Sequence, residues 1–131
     1  MTYPALTALY APLLALVFLA LSAWVMAGRV GGNVLHGDGG QDKLQRRIRA
    51  HGNFAEFVPI ALILCALLEA RGAGPGLMHA LLAPLLVARI AHPFGMTAGE
   101  NTPRQFLGRG LGALVTLLVV AVAAVALLML R

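Results

Sequence analysis

Charge is what this 131-residue sequence has least of: 11% of its residues are charged, 60% are hydrophobic, and its mean hydropathy is +0.84. So little charge cannot solvate the surface of a soluble domain, so the composition fits a polytopic membrane protein in contact with a lipid bilayer. The length allows one domain, residues 1–131. Acidic residues are especially scarce, five against ten basic, for a net charge of +5. The cations lie between apolar stretches and form no basic module, which argues against nucleic acid as a partner. Cysteine is nearly absent. The lone Cys65 excludes an intrachain disulfide, and its apolar neighbours make it a packing residue and not a nucleophile. Residues 1–10 lack the basic start of a signal peptide, and the uncharged run 5–27 is too long for one, so it reads as a retained transmembrane helix. Metal-ligand spacing is missing too. His36 and Asp38 stand in a glycine-rich loop as solvated residues, and no metal site is expected.

What is present is four apolar stretches, predicting helices over about residues 5–28, 43–70, 75–94 and 103–130. The fold class is therefore all-α, an integral membrane bundle of four transmembrane helices. Trp24 is placed as an interface anchor at the inner end of the first helix, and Pro12 is expected to kink it. Residues 28–40 hold six glycines and read as an aqueous loop. Asp42 and Gln45 have the spacing of a capping box, and Thr102, Pro103 and Gln105 form a second helix start. The third stretch is the least apolar, with His79, Pro84, Arg89 and His92, but its middle is uncharged and its neighbours can shield the rest. Loops one and three, with their flanking turns, carry Arg29, Lys43, Arg46, Arg47, Arg49, Arg89, Arg104 and Arg109, eight of the ten basic residues. Only Arg71 and Arg131 fall on the other side. The positive-inside rule then puts those loops in the cytoplasm and both termini outside.

The chain is organised around residues 46–69. Their second half, residues 57–68, is uncharged, while Arg46, Arg49, Gly52, Asn53 and Glu56 share one side of a helix. Arg47 and His51 point elsewhere, His51 as an interface or packing residue. Glu56 lies roughly 10 Å along the helix from Arg49, within the bilayer if Arg49 marks its edge. An ionisable group at that depth marks a functional site unless an arginine or polar neighbour neutralises it structurally. Pro59, just beyond, is expected to free a carbonyl and widen a polar pocket.

The same end of the bundle gathers Arg46, Arg49, Asn53 and Glu56 with Arg89 and His92 of the third helix and Arg104 and Arg109 of the fourth. Guanidinium forks bind carboxylates, asparagine both donates and accepts, and a carboxylate holds an amine. The set suits a small zwitterion with more than one carboxylate. Arg104 in a first helical turn opposes the helix dipole, which favours a functional reading, and Arg109 lies a turn further in. Arg47 and Arg89 are also explained by snorkelling or by a favourable helix C-terminus.

Residues 49–59, R-A-H-G-N-F-A-E-F-V-P, resemble the R-A-x-x-N-x-x-E-x-x-P signature of the MAPEG proteins, membrane-associated proteins of eicosanoid and glutathione metabolism. A weaker likeness is Arg109-Gly-Leu-Gly112-Ala-Leu-Val-Thr116, similar to the R-x-x-G-x-x-x-T opening of helix four in small prokaryotic members. Helix count, length and topology agree across the chain. The resemblance implies a homotrimer with glutathione as co-substrate between adjacent subunits near the cytoplasmic surface. Arg49, Asn53 and Glu56 match glutathione-binding positions, and Arg46, Arg89 and His92 extend that face. The catalytic arginine that stabilises the thiolate corresponds to Arg109 by motif or Arg104 by position. The thiolate would attack a lipophilic electrophile arriving from the bilayer. The chain departs from eukaryotic members in having His92, Phe94 and Met96 where they carry tyrosines, and Gly52 where some have arginine. Gly52, and Gly108 with Gly112, are read as sites of close helix approach.

The function expected is a glutathione-dependent transferase or peroxidase of the bacterial inner membrane. The alternatives are a non-catalytic lipid-binding or scaffold protein on the same fold, and a small transporter using Glu56 to carry protons.

Overall fold

A computed structural model of the chain describes residues 2–130; Met1 and Arg131 lie outside them. The described residues form four long helices: α1 (Ala5–Gly32), α2 (Asp42–Ala70), α3 (Pro75–Met96) and α4 (Pro103–Met129). Each is long and apolar enough to cross a membrane. Within α4, residues Phe106–Leu111 form a π-helical segment.

Apolar residues at alternating intervals of three and four give α2 its inward stripe: Phe54, Val58, Ala61, Cys65 and Leu68 are all buried. They meet Leu14 and Leu21 of α1, Met78, Leu82 and Leu85 of α3, and Val119 and Ala123 of α4. α2 and α3 touch each other, and each touches both α1 and α4, whereas α1 and α4 do not meet among the described residues. Hence α1 and α4 flank a central α2–α3 pair. Their outer faces expose Leu9, Leu16 and Leu19 on α1 and Leu114, Leu118 and Val125 on α4. Such faces suit hydrocarbon, where packing among helices and not aversion to the solvent holds a bundle together.

The ends of the bundle are tied differently. At the end without loops one and three, the Glu69 carboxylate accepts the backbone N–H of Leu6 and of Thr7 and the Thr7 hydroxyl, each at 2.8 Å. A side chain 62 residues away thus caps the start of α1, whose own preceding residue, Pro4, makes no side-chain cap. At the opposite end, α1 continues to Gly32, past the expected start of the loop. It stops where Asn33 adopts the left-handed region (φ 53°) and the Val34 N–H closes on the Arg29 carbonyl at 2.9 Å. Gly28 lies inside the helix because Arg47 and Leu44 pack against it: an added Cβ would be 3.0 Å from each.

Two further expectations change. Asp42 is the first residue of α2, not its cap, and pairs with Arg46 one turn on at 2.8 Å. Gly52 faces open space: a Cβ added there would have only the Glu56 carboxylate within 4 Å, so no helix of the same chain approaches it among the described residues. The close contact lies elsewhere. A Cβ on Gly95 would fall 2.1 Å from the Arg109 backbone nitrogen, and one on Gly108 would fall 2.6 Å from the Gly95 Cα. The α3–α4 crossing is therefore backbone on backbone, continued by Gly112 against the Ala88 carbonyl. Gly95→Ala is expected to cost about 1–3 kcal/mol or more through overpacking. Gly31→Ala, in open space on α1, is expected to be neutral or stabilising by about 0.5 kcal/mol. Thermal unfolding in detergent distinguishes the two.

Candidate functional site

Loops one and three close the same end of the bundle, as contacts across them require. Arg46 donates to the Ala98 carbonyl at 3.1 Å, joining α2 to the α3–α4 loop. Arg47 donates to the Trp24 carbonyl at 3.2 Å, and its guanidinium lies 5.0 Å from the centre of the Trp24 ring. His51 packs beside Phe18 with ring centres 4.8 Å apart and meets the Ser22 hydroxyl at 3.0 Å, a packing role on the α1 side.

Arg89 does not snorkel. It is 1% exposed, the largest fully buried side chain among the described residues. One terminal nitrogen donates to Asn53 Oδ1 at 2.8 Å and the other to the Gly112 carbonyl at 2.9 Å, while Nε has no partner. The Gly112 carbonyl also accepts the Thr116 hydroxyl at 2.9 Å. A guanidinium stays protonated, and the one ion pair among the described residues is Arg46–Asp42, so neutral oxygens solvate this buried charge. One side chain from α3 thereby fixes α2 at Asn53 and α4 at Gly112. His92, one turn on, is buried against Gly112.

Arg49 and Glu56 are on the outside. Both are exposed, and neither has a hydrogen bond or ion pair among the described residues. They flank Asn53 by four and three residues, so the three form a strip along the outer face of α2. Arg89 occupies the Asn53 carbonyl oxygen and leaves its amide N–H groups directed by that bond. Pro59 does not widen a polar pocket: the hollow it lines, with Phe18, Phe54 and Leu62, is apolar.

The fourth helix starts as its residues dictate. The Thr102 hydroxyl accepts the Gln105 N–H at 3.2 Å, although the Gln105 side chain returns to the Asn101 N–H and not to Thr102. The helix then widens over Phe106–Leu111, where bonding runs to the fifth residue and not the fourth. Arg109 is exposed on that segment and lines a shallow groove with Asn101, Thr102, Gln105 and Phe106. Arg104 is exposed in the first turn, outside the groove lining. The π segment packs on α3, and α2 meets α4 only from Gly112 onward. The structure thus joins Asn53 to Arg89, but it does not bring Arg109 to Arg49 and Glu56 within one chain.

Comparison with known proteins assigns the family. A model of the MAPEG family matches residues 7–129. The chain belongs to the MAPEG family. Inner membrane protein YecN of Escherichia coli (strain K12) is 40% identical over 89 residues, covering 68% of each chain. Inner membrane protein YecN of Escherichia coli O6:H1 is similar to the same extent. No solved structure matches.

In this MAPEG membrane protein two site features escaped the sequence. The π segment has as its only local trace the glycines at 108 and 110, and the Arg89 tie pairs residues 36 positions apart. Asn53→Leu is expected to cost about 2 kcal/mol or more in detergent unfolding, because it strips a buried cation of an acceptor. The double variant Asn53→Leu, Arg89→Leu is expected to recover part of that loss, since cation and acceptor leave together.

Proposed function

We propose that the chain is a glutathione-dependent transferase or peroxidase of the bacterial inner membrane, acting on lipophilic electrophiles as a homotrimer. The observation that carries this reading is the outward strip on α2. Arg49 and Glu56 are charged, exposed and without partners among the described residues, on a helix whose neighbouring outward residues, such as Ile60 and Ile63, are apolar. Charge left facing hydrocarbon is costly, so a ligand or a second copy is expected to meet it. Arg109, the cation suited to a thiol, is held away from that strip within one chain by the α3–α4 crossing. A site between copies supplies both halves, with Arg49 and Glu56 from one and Arg109 from the next.

The chemistry follows from the residue types. The Arg49 fork takes a carboxylate of glutathione, the Glu56 carboxylate takes its amine, and the Asn53 amide donates to a carbonyl. Arg46 borders the same end. Arg89 and His92, both buried, hold this geometry from behind; Arg89 acts by orienting Asn53. A cation beside the glutathione sulfur favours its thiolate, the nucleophilic form. Arg109 is the better candidate of the two arginines, because it lines a groove that Arg104 does not. The thiolate attacks the electrophilic carbon, and the leaving group departs with the bonding electrons. The basic end, with loops one and three, is assigned to the cytoplasm and both termini to the outside by the positive-inside rule. A binder without chemistry is the second reading, favoured by the engagement of Arg46, Asn53 and Arg89 inside the chain.

Calorimetry of the detergent-purified protein is expected to give saturable glutathione binding that Arg49→Ala and Glu56→Gln each weaken about tenfold, the loss of one charge-assisted contact. Arg109→Ala is expected to slow conjugation more than it weakens binding. No binding at millimolar glutathione would overturn the reading, and wild-type binding by Glu56→Gln would overturn the site.

A further inference from the structure

A cleft lined by α1, α3 and Thr97, the residue that caps α3, opens on the side of the bundle remote from Arg49 and Glu56, which lie on α2. Val17, Leu21 and Trp24 on α1 face Ile90 and Phe94 on α3 and Thr97 just past its end, both sets at intervals of four and three. The lining is almost wholly apolar, and Phe94 is 58% exposed at its mouth. From Val17 to Trp24 the cleft follows α1 for about 10 Å.

At Trp24 and Thr97 this cleft runs into a second pocket of the opposite character. The second pocket shares those two residues and adds Asp42, Lys43, Arg46 and Arg47. Its charges are three cations against one carboxylate. Asp42 is taken by Arg46 at 2.8 Å, so the charge of Lys43 and Arg47 is not neutralised among the described residues. Lys43 is exposed, and Arg47 spends one N–H on the Trp24 carbonyl, leaving other donors free. The pocket also contains the start of α2, a 29-residue helix whose first N–H groups receive no side-chain cap. Uncapped helical N–H groups favour an anion.

A cationic pocket at the membrane interface, continuous with an apolar cleft that descends along two transmembrane helices, has the polarity of one amphiphile. We propose that it binds an anionic phospholipid from the leaflet on the side of loops one and three. The phosphate sits at Lys43, Arg47 and the start of α2, and an acyl chain passes Trp24 into the cleft toward Val17. The charge complementarity selects the headgroup, and the continuity through Trp24 and Thr97 selects a molecule carrying a chain over a free anion. The pocket meets the end of the glutathione strip at Arg46, but the phosphate contacts proposed here are Lys43, Arg47 and the start of α2, and they do not depend on that strip.

Trp24 is the only tryptophan in the chain, so its fluorescence reports this site alone. The full-length protein is reconstituted in phosphatidylcholine vesicles, and acyl-brominated phosphatidylglycerol or acyl-brominated phosphatidylcholine is titrated in as quencher. The anionic lipid is expected to quench Trp24 at a mole fraction about fivefold lower or less, at the scale of one basic side chain near a membrane surface. Lys43→Gln, a change at an exposed residue, is expected to cut that preference about fivefold while leaving quenching by the zwitterionic lipid unchanged. Raised salt is expected to weaken the preference as well. Equal quenching by the two lipids overturns the proposal, because it marks non-selective contact with the bilayer. A preference that survives Lys43→Gln intact, or no quenching by either lipid, overturns it equally.

Discussion

One buried cation sets the relative positions of three helices. Arg89 reaches from α3 to Asn53 on α2 and to the Gly112 carbonyl on α4, with almost no contact with solvent. The planar fork addresses the two helices from separate nitrogens, whereas lysine would have to serve both from a single charged centre. Leaving such a charge with fewer acceptors is costly, so sliding α2 or α4 by one residue is resisted. Arg49 and Glu56, about one turn to either side of Asn53, are not reached by Arg89 and stay exposed. The backbone contact of Gly95 with Gly108 and Arg109 then brings the α4 π segment directly against α3. Together they separate Arg109 from the strip on α2 within one chain.

The bilayer explains the remaining distribution of polarity. α1 and α4 carry few polar side chains through their middles and present leucine and valine outward, as helices in lipid must. Polar contacts gather at the two ends. At one, Glu69 caps α1 and Tyr10 meets His79 at 3.0 Å. At the other, Arg46 and Arg47 bind carbonyls across the loops, and Trp24 lies beneath Arg47. These contacts pair the groups involved within the chain, whereas Arg49 and Glu56 on the outer strip of α2 have no side-chain partner among the described residues.

The helical architecture was legible because its signals are local: uncharged runs of membrane length, the Thr102 start, and the three-and-four spacing of the α2 core. The glycines of residues 28–32 misled, since they permit Arg47, Leu44 and Gln41 to pack close and do not end the helix. Asp42 had the spacing of a cap but spends its carboxylate on Arg46. The polar residues of the candidate site were legible as a set, yet their division was not. Arg89 and Asn53 join inside, Arg49 and Glu56 face out, and Arg109 stands on a widened helical turn. That division arises from contacts between residues tens of positions apart, which no local pattern encodes. The motif shared with the MAPEG family named the residues; packing decided which of them remain open.

The most direct test of a site completed by a second copy is subunit mixing. Arg49→Ala and Arg109→Ala chains, each expected to be deficient in glutathione conjugation, are co-expressed, purified as mixed assemblies and assayed with a lipophilic aryl halide. A shared site predicts that turnover returns in the mixture, because one interface then joins an intact Arg49 from one chain to an intact Arg109 from the other. If mixed assemblies form and turnover stays at the level of the single variants, the two arginines do not meet across subunits, and a site shared between copies is contradicted.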